Sequence, residues 1–224
     1  MQVVDFHVHT KYSKDSNIEP KELIKKAKKL GYTALGITDH NEVRGALYTK
    51  KINRYRDLLI LIGQEVKTEK GELIVFGTSE NLSNKNFFEL LDYARDNNLF
   101  LVIPHPFDWI RASALSRHLS YEEIRKCAKK VDAIECINSR ALFDWFNNKA
   151  KDFARAIGKP CVAGSDSHLL EEFGAVKTYV DAEHSEEDIY NAIRKGLCRV
   201  EGKRNLFLVH FKSFLIRLTK QFCF

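Results

Sequence analysis

His7 and His9 stand two residues apart at the end of the apolar run VVDF. On a strand, residues i and i+2 share a face, so the two imidazoles can grip one centre. Asp166 and His168 repeat that spacing after PCVAGS. Other apolar runs also end in donor side chains. Asp39 and His40 follow ALGIT, Glu65 follows LLILIGQ, His105 follows LFLVIP, and VDAI leads to Glu135 and Asn138. Asp15 lies on the polar stretch TKYSKDS, able to fold back over the first pair. One ion takes roughly four to six ligands. The nine candidates His7, His9, Asp15, His40, Glu65, His105, Glu135, Asp166 and His168 therefore suit two or three divalent ions sharing a bridging carboxylate. Imidazole with carboxylate, and no thiolate set, suits Zn, Mn or Fe. Clustered ions about 3.5–4 Å apart clamp phosphoryl oxygens and acidify a bound water. The expected chemistry is hydrolysis of a phosphate ester by a metal-bound hydroxide, with Asp15, His40, Asp166 and His168 as the catalytic candidates. Asp39, adjacent to His40, is expected behind the ligands, hydrogen-bonding one of the histidines. Arg44 and Arg140, just past two of these motifs, are the candidates for holding the substrate phosphate, ahead of Lys11 and Arg111.

Short apolar runs must position these residues. Those at 3–6, 34–38, 58–63, 99–103, 131–137 and 160–164 are rich in Val, Ile and Leu without strict alternation, which suits strands buried on both faces of a parallel sheet. ELIVFG (72–77) is a further strand, close enough to its predecessor for a hairpin at KTEKGE, and VKTYV (176–180) is another. Helical patterns separate them. Leu23, Ile24, Ala27 and Leu30 share one face before Gly31, and SYEE opens a helix with a capping-box spacing. NKNFFELLDYARDNN, DWFNNKAKDFARAIGKP and SEEDIYNAIRKG read the same way. Alternating strand and helix predicts an α/β fold, either a small barrel or a doubly wound sheet. In a barrel, residues at the C-terminal strand ends converge on one mouth.

DFHVHTKYSKDS, GITDHNEVRGA, GQEV, PHP and AGSDSHLLEEFG, in this order, resemble the successive motifs of the PHP (polymerase and histidinol phosphatase) family from residue 3 to about 200. The resemblance implies a distorted (β/α)7 barrel, two or three metals and phosphoesterase activity. It places His7, His9, Glu65 and Asp166 on a first metal. Glu65 would bridge to a second metal with His105 and Glu135, and Asp15, His40 and His168 would take a third. The small stand-alone members are the nearer likeness, since the replicative polymerases need far more chain.

The 224 residues suit one domain, with a formal net charge of +6 from 36 basic and 30 acidic side chains. That balance favours phosphate-bearing partners without selecting one, and both a small phosphorylated substrate and a nucleic-acid end stay open. The alternative is a non-catalytic RNA-binding barrel subunit. Five cysteines with no C-x-x-C pair predict no disulfide framework and a reducing cytoplasm, with Cys136 and Cys161 as small core residues. His118, His184 and His210 fall outside the motifs and are expected on the surface. Trp109 and Trp145 are expected to pack, Trp109 near the mouth. No signal peptide and no membrane-spanning run is predicted. The barrel is expected over 1–202. Residues 203–224 place Phe207, Phe211, Phe214, Leu215, Leu218 and Phe222 at helical spacing among basic residues. This predicts a basic amphipathic helix packed on the barrel, with a dimer contact or a peripheral membrane contact as the other uses of that face.

Overall fold

The computed structural model describes residues 1–205. Seven strands form the staves of a curled sheet: β1 (Gln2–Val8), β2 (Ala34–Ile37), β3 (Leu59–Thr68), β4 (Gly71–Phe76), β5 (Phe100–Ile103), β6 (Ala133–Asn138) and β7 (Cys161–Gly164). They lie in chain order. The pairs β1–β2, β2–β3, β5–β6 and β6–β7 are parallel, whereas β4 is antiparallel to both β3 and β5. Six staves therefore point one way and β4 is reversed. The sheet nearly closes where β7 returns to β1. Val8 bridges Ser167, the His9 amide donates to the Ser167 carbonyl at 3.0 Å, and the Asp166 amide donates to the His7 carbonyl at 2.7 Å. The expected α/β distorted barrel is present. It differs from a regular (β/α)7 ring in the reversed stave and in two added strands, β8 (Val176–Val180), antiparallel to β1, and β9 (Cys198–Gly202), antiparallel to β8.

Around the sheet pack α1 (Pro20–Lys29), α2 (Arg44–Ile52), α3 (Phe87–Asp96), α4 (Tyr121–Ala128), α5 (Asp144–Ile157) and α6 (Glu186–Arg194). The sequence signals act as expected. Asn86 and Ser120 close capping boxes with Glu89 and Glu123. Gly158 ends α5 in the left-handed conformation, at φ 67°. Helix α2 and strand β9 were not anticipated. The former has neither a capping side chain nor an acidic first turn to announce it.

The staves bury both faces, as their unbroken apolar runs require. Between staves and helices lie Leu91, Leu101, Ile134 and Phe153 on one side, and Leu23, Leu35 and Ile37 on another. The barrel floor is aromatic: Phe6, Phe76, Phe100 and Tyr190 cluster there, with the Phe100 and Tyr190 rings stacked at 4.5 Å. The absence of a disulfide is corrected. Cys136 and Cys161 sit side by side on the adjacent parallel strands β6 and β7 and form a disulfide across 25 residues, a pairing that no local motif announces. No helix among the described residues is long and apolar enough to cross a membrane. The helix expected over 203–224 lies, from residue 206 onward, outside the described residues.

Candidate metal centre

The nine expected donors gather at the mouth defined by the C-terminal ends of the six like-directed staves. Along β1 and just past its end, Asp5, His7 and His9 follow one another up the inner face, all fully buried. His7 Nε2 and His9 Nε2 are 3.0 Å apart. Each lies 3.4 Å from Glu65 Oε2, and they lie 3.7 and 3.4 Å from Asp166 Oδ1. A regular tetrahedron with edges of roughly 3.4 Å has its centre about 2.1 Å from each corner, an ordinary zinc–nitrogen or zinc–oxygen bond length.

The surrounding hydrogen bonds orient these donors. His7 Nδ1 is 2.9 Å from Glu135 Oε1, an acceptor, so His7 donates there. The Ser13 hydroxyl donates to Asp39 Oδ1 at 2.8 Å, which leaves its oxygen to accept from His9 Nδ1 at 3.1 Å. His168 Nδ1 donates to the Asp166 carbonyl at 2.8 Å. Three histidines thus spend Nδ1 on the scaffold and turn Nε2 inward, the arrangement in which outer partners fix ligand imidazoles. Asp39 supports the site, but through Thr10 and Ser13 and not through a direct bond to a histidine.

A second grouping lies nearer the rim. His40 Nδ1 is 2.9 Å from Glu65 Oε2, and His40 Nε2 and His168 Nε2 lie 3.6 and 3.4 Å from the two oxygens of Asp15. The polar loop after β1 does fold back over the centre. Ligand atoms of His9, His40 and His168 all lie within 4.8 Å of one another, as do those of His7, His9 and Asp166. The same holds for His40, Glu65 and Glu72, the last a residue that the sequence reading passed over. His105 Nε2 lies 3.1 Å from Glu65 Oε1 and 3.6 Å from Glu72 Oε2. Glu135 joins none of these groupings. It faces the backs of its neighbours.

Electrostatics follow from burial and from who faces whom. Burial would lower the His7 imidazole, but the carboxylates of Glu65, Asp166 and Glu135 outweigh it and hold His7 well above its ordinary range. Burial, then the neighbouring His168 and His40, press His9 well below its own. Burial would raise Asp166, yet Arg111 and His7 hold it well below the usual carboxylate range. Asp5 and Asp39, with little but hydrogen bonds to offset burial, are pushed up to about 7 and about 6. Two of the site residues, His105 at φ 30° and Asp166 at φ 51°, hold left-handed backbone, a conformation that only a well-braced site sustains.

The two arginines expected to hold phosphate part company. Arg44 opens α2 with its side chain 75% exposed and forks onto Glu42, so its hydrogen bonds do not reach the centre. Arg140 stays at the mouth, its amide donating to Asn138 Oδ1 at 2.9 Å and its Nε 3.7 Å from Glu172. Arg111 goes deepest. It pairs with Asp166 Oδ2 and donates to Asp108 at 3.0 Å and Asn138 at 3.3 Å. Asn138, named only as a strand-end residue, bridges Glu135 and Asp166 through its amide nitrogen. Lys11 is spent on Glu19 at the surface.

The donor set fits divalent cations. Two imidazole nitrogens at 3.0 Å, each braced behind and facing two buried carboxylates, make a seat that a cation satisfies without rearrangement. Fold and site together define an α/β barrel with a buried histidine–carboxylate metal centre at its mouth. The chain belongs to the PHP-domain family, whose model matches residues 5–202. An uncharacterized protein of Methanocaldococcus jannaschii is 34% identical over 172 residues, 76% of this chain and 67% of the relative. Among solved structures, one similar fold is a two-domain Bacteroides vulgatus protein containing a predicted PHP-like metal-dependent phosphoesterase. It aligns with TM-score 0.75 and 18% identity over 90% of this chain and 65% of its own, so this chain spans just under two thirds of that protein. PsfC of Pseudomonas syringae aligns with TM-score 0.69 and 18% identity over 97% of this chain and 98% of its own.

Proposed function

We propose that the protein is a metal-dependent hydrolase of phosphate esters. The observation that carries the reading is the pairing of His7 Nε2 and His9 Nε2 with Glu65 and Asp166, in a family whose members share this barrel. His7, His9, Glu65 and Asp166 would hold one cation, and Asp15, His40 and His168 another, with Zn, Mn and Fe the fitting choices. Cations bound there supply Lewis-acid activation of water and neutralise charge on the phosphoryl oxygens.

The chain's own groups do the rest. Asp15, whose side chain is 27% exposed, is with His40 one of the two donors open to the mouth. Burial would raise it, but hydrogen bonds from His168 and His40 hold it ionised well below the ordinary range. It is thus an acceptor that orients an attacking water. Asp166 stays ionised beside Arg111 and keeps Oδ1 inward. Arg140 is the mouth's available cation for a substrate oxygen, and Arg44 is the weaker choice on its exposed pair with Glu42. A cytoplasmic setting belongs to the same reading. So does a small phosphomonoester or a nucleic-acid end as substrate. The RNA-binding alternative is disfavoured by a donor set with no decayed position.

The test is a panel of phosphate esters, from an aryl phosphate through mononucleotides and bisphosphates to short oligonucleotides, with Mn or Zn added. Turnover abolished by chelator and by His7→Ala with His9→Ala is expected. Binding of structured RNA in a gel shift, with no ester turned over, would overturn the reading.

A further inference from the structure

The rim beside the centre carries an apolar patch. Trp109 and Ile110 lie on the loop after β5, and Phe143 and Trp145 lie at the start of α5, so both pairs follow the mouth ends of like-directed staves. The rings of Trp109, Phe143 and Trp145 gather on buried Phe146, at 6.4, 6.0 and 4.0 Å. Trp109 and Phe143 are 51% and 52% exposed, and Ile110 and Trp145 are 40% and 44% exposed. Large apolar side chains crowded together in water mark a contact surface. We propose that this patch is the seat of the chain's own C-terminal segment, residues 206–224. The inference stands apart from the metal reading of the mouth.

Three observations name the occupant. The first is where the chain goes. Strand β9 is antiparallel to β8, and β8 is antiparallel to β1, so β9 runs with the like-directed staves and delivers the chain to the mouth. The second is how the chain is held there. Arg204 Nε pairs with Asp144 Oδ1 at 3.1 Å, and Arg204 Nη1 donates to the Leu142 carbonyl at 3.2 Å. The Asn205 amide donates to the Ser139 carbonyl at 2.6 Å, and Asn205 Nδ2 donates to Ser139 Oγ at 3.0 Å. Phe143 lies between Leu142 and Asp144, and Trp145 comes next, so the segment begins at the edge of the patch. The third is composition. Residues 206–224 hold no Asp or Glu, and Phe207, Phe211, Phe214, Leu215, Leu218 and Phe222 recur at helical spacing. Such a face gains by leaving water, and the patch is the apolar surface it meets first. Tethering presents it at high effective concentration, whereas a second copy or a lipid surface must be found by diffusion. The seated segment walls the side of the mouth where Ser139 and Arg140 follow Asn138.

The chain has two tryptophans, and both are in the patch, so the fluorescence of the full-length protein reads the seat directly. Acrylamide quenching and the emission maximum are measured for three proteins. These are the wild type, Phe211→Glu with Phe214→Glu, which breaks the apolar face, and Ser213→Glu, which puts a carboxylate on the opposite side of the same helical pattern. The double substitution should raise the quenching constant by about twofold or more and move the emission to the red, as the indole rings regain water. Ser213→Glu should leave both as in the wild type. Tryptophans as open to acrylamide in the wild type as in the double variant, or an equal change from Ser213→Glu, would overturn the proposal. Light scattering over a dilution series and added vesicles of phosphatidylcholine and phosphatidylglycerol test the other occupants. Protection lost as a dimer dissociates gives the seat to a second copy. Protection that arises only on vesicles gives the segment to a membrane surface. Either result overturns the proposal, and protection unchanged by dilution and by vesicles is the result expected. Circular dichroism checks the fold, and were the double variant unfolded, the milder Phe214→Ser is read by the same criteria.

Discussion

The seam side of the mouth, where β7 meets β1, and the hairpin side, where β3 turns into β4, carry the same donor types but brace them differently. At the seam each ligand atom has a partner behind it. Glu135 stands behind His7, Ser13 and Asp39 behind His9, and Arg111 with Asn138 behind Asp166. At the hairpin, His105 Nδ1 is buried with no hydrogen-bond partner among the described residues, and Glu72 is paired with the facing imidazoles of His40 and His105. Donor chemistry makes a site able to bind, and the partners behind the donors decide how rigidly it waits. The seam side is the more firmly braced and the hairpin side the less.

The largest effect should come from removing the seam's imidazoles. His7→Ala with His9→Ala should lower phosphoester turnover by about 10³-fold or more and abolish the tighter step of metal binding, read by a chromogenic ester assay and by calorimetry. Comparable loss from His105→Ala alone would erase the contrast between the sides. Reduction of the Cys136–Cys161 disulfide, which ties β6 to β7 on the seam side, should cost about 3 kcal/mol of stability on the chain-entropy account. Denaturation with and without a phosphine reductant measures this. The hairpin-side step should tolerate reduction better than the seam-side step, and the opposite order would break the comparison. Ser13→Ala removes one brace from His9 and should weaken the tighter metal step by about tenfold, with the weaker step unmoved.

The smallest effect concerns Asp5, below His7. Its carboxyl is raised to about 7 by burial, above the unfolded value of 3.8. The folded state then holds a proton that the unfolded chain has already lost. Its contribution to stability is therefore full at low pH and is lost as pH rises from about 4 through about 7. Asp5→Asn should flatten that part of the melting-temperature profile in the presence of chelator, while keeping Oδ1 as acceptor for the His7 and Ser165 amides. A profile parallel to the wild type would show that Asp5 carries no such burden.

Much of this was written in the chain. Each parallel stave is an apolar run ending in a donor, and a parallel strand must end at the mouth. The rule that brings His7, Glu65 and Asp166 to the mouth passes over Glu72, which lies at the mouth as well. Strand β4 is reversed, so its first residues reach the mouth, and Glu72 is the second residue of β4. The hairpin at KTEKGE held that information, since a strand that turns back brings its beginning to the rim. Arg44 pairs with Glu42 at the surface because a residue just past a motif can open a helix that points it outward. Arg111 was undervalued because its place depends on how a helix-poor loop packs under Asp166, which no periodicity reports. Cys136 and Cys161 became partners only when two strands far apart in sequence became neighbours.

The spacing of His7 and His9 has one further consequence. Each imidazole spends its Nδ1 on the scaffold, and the two Nε2 atoms stand 3.0 Å apart with Glu65 Oε2 3.4 Å from each. Groups held in this way surrender little freedom when they take hold of something, so the fold meets most of the cost of organising them in advance. Such a protein can fold first and be armed afterwards.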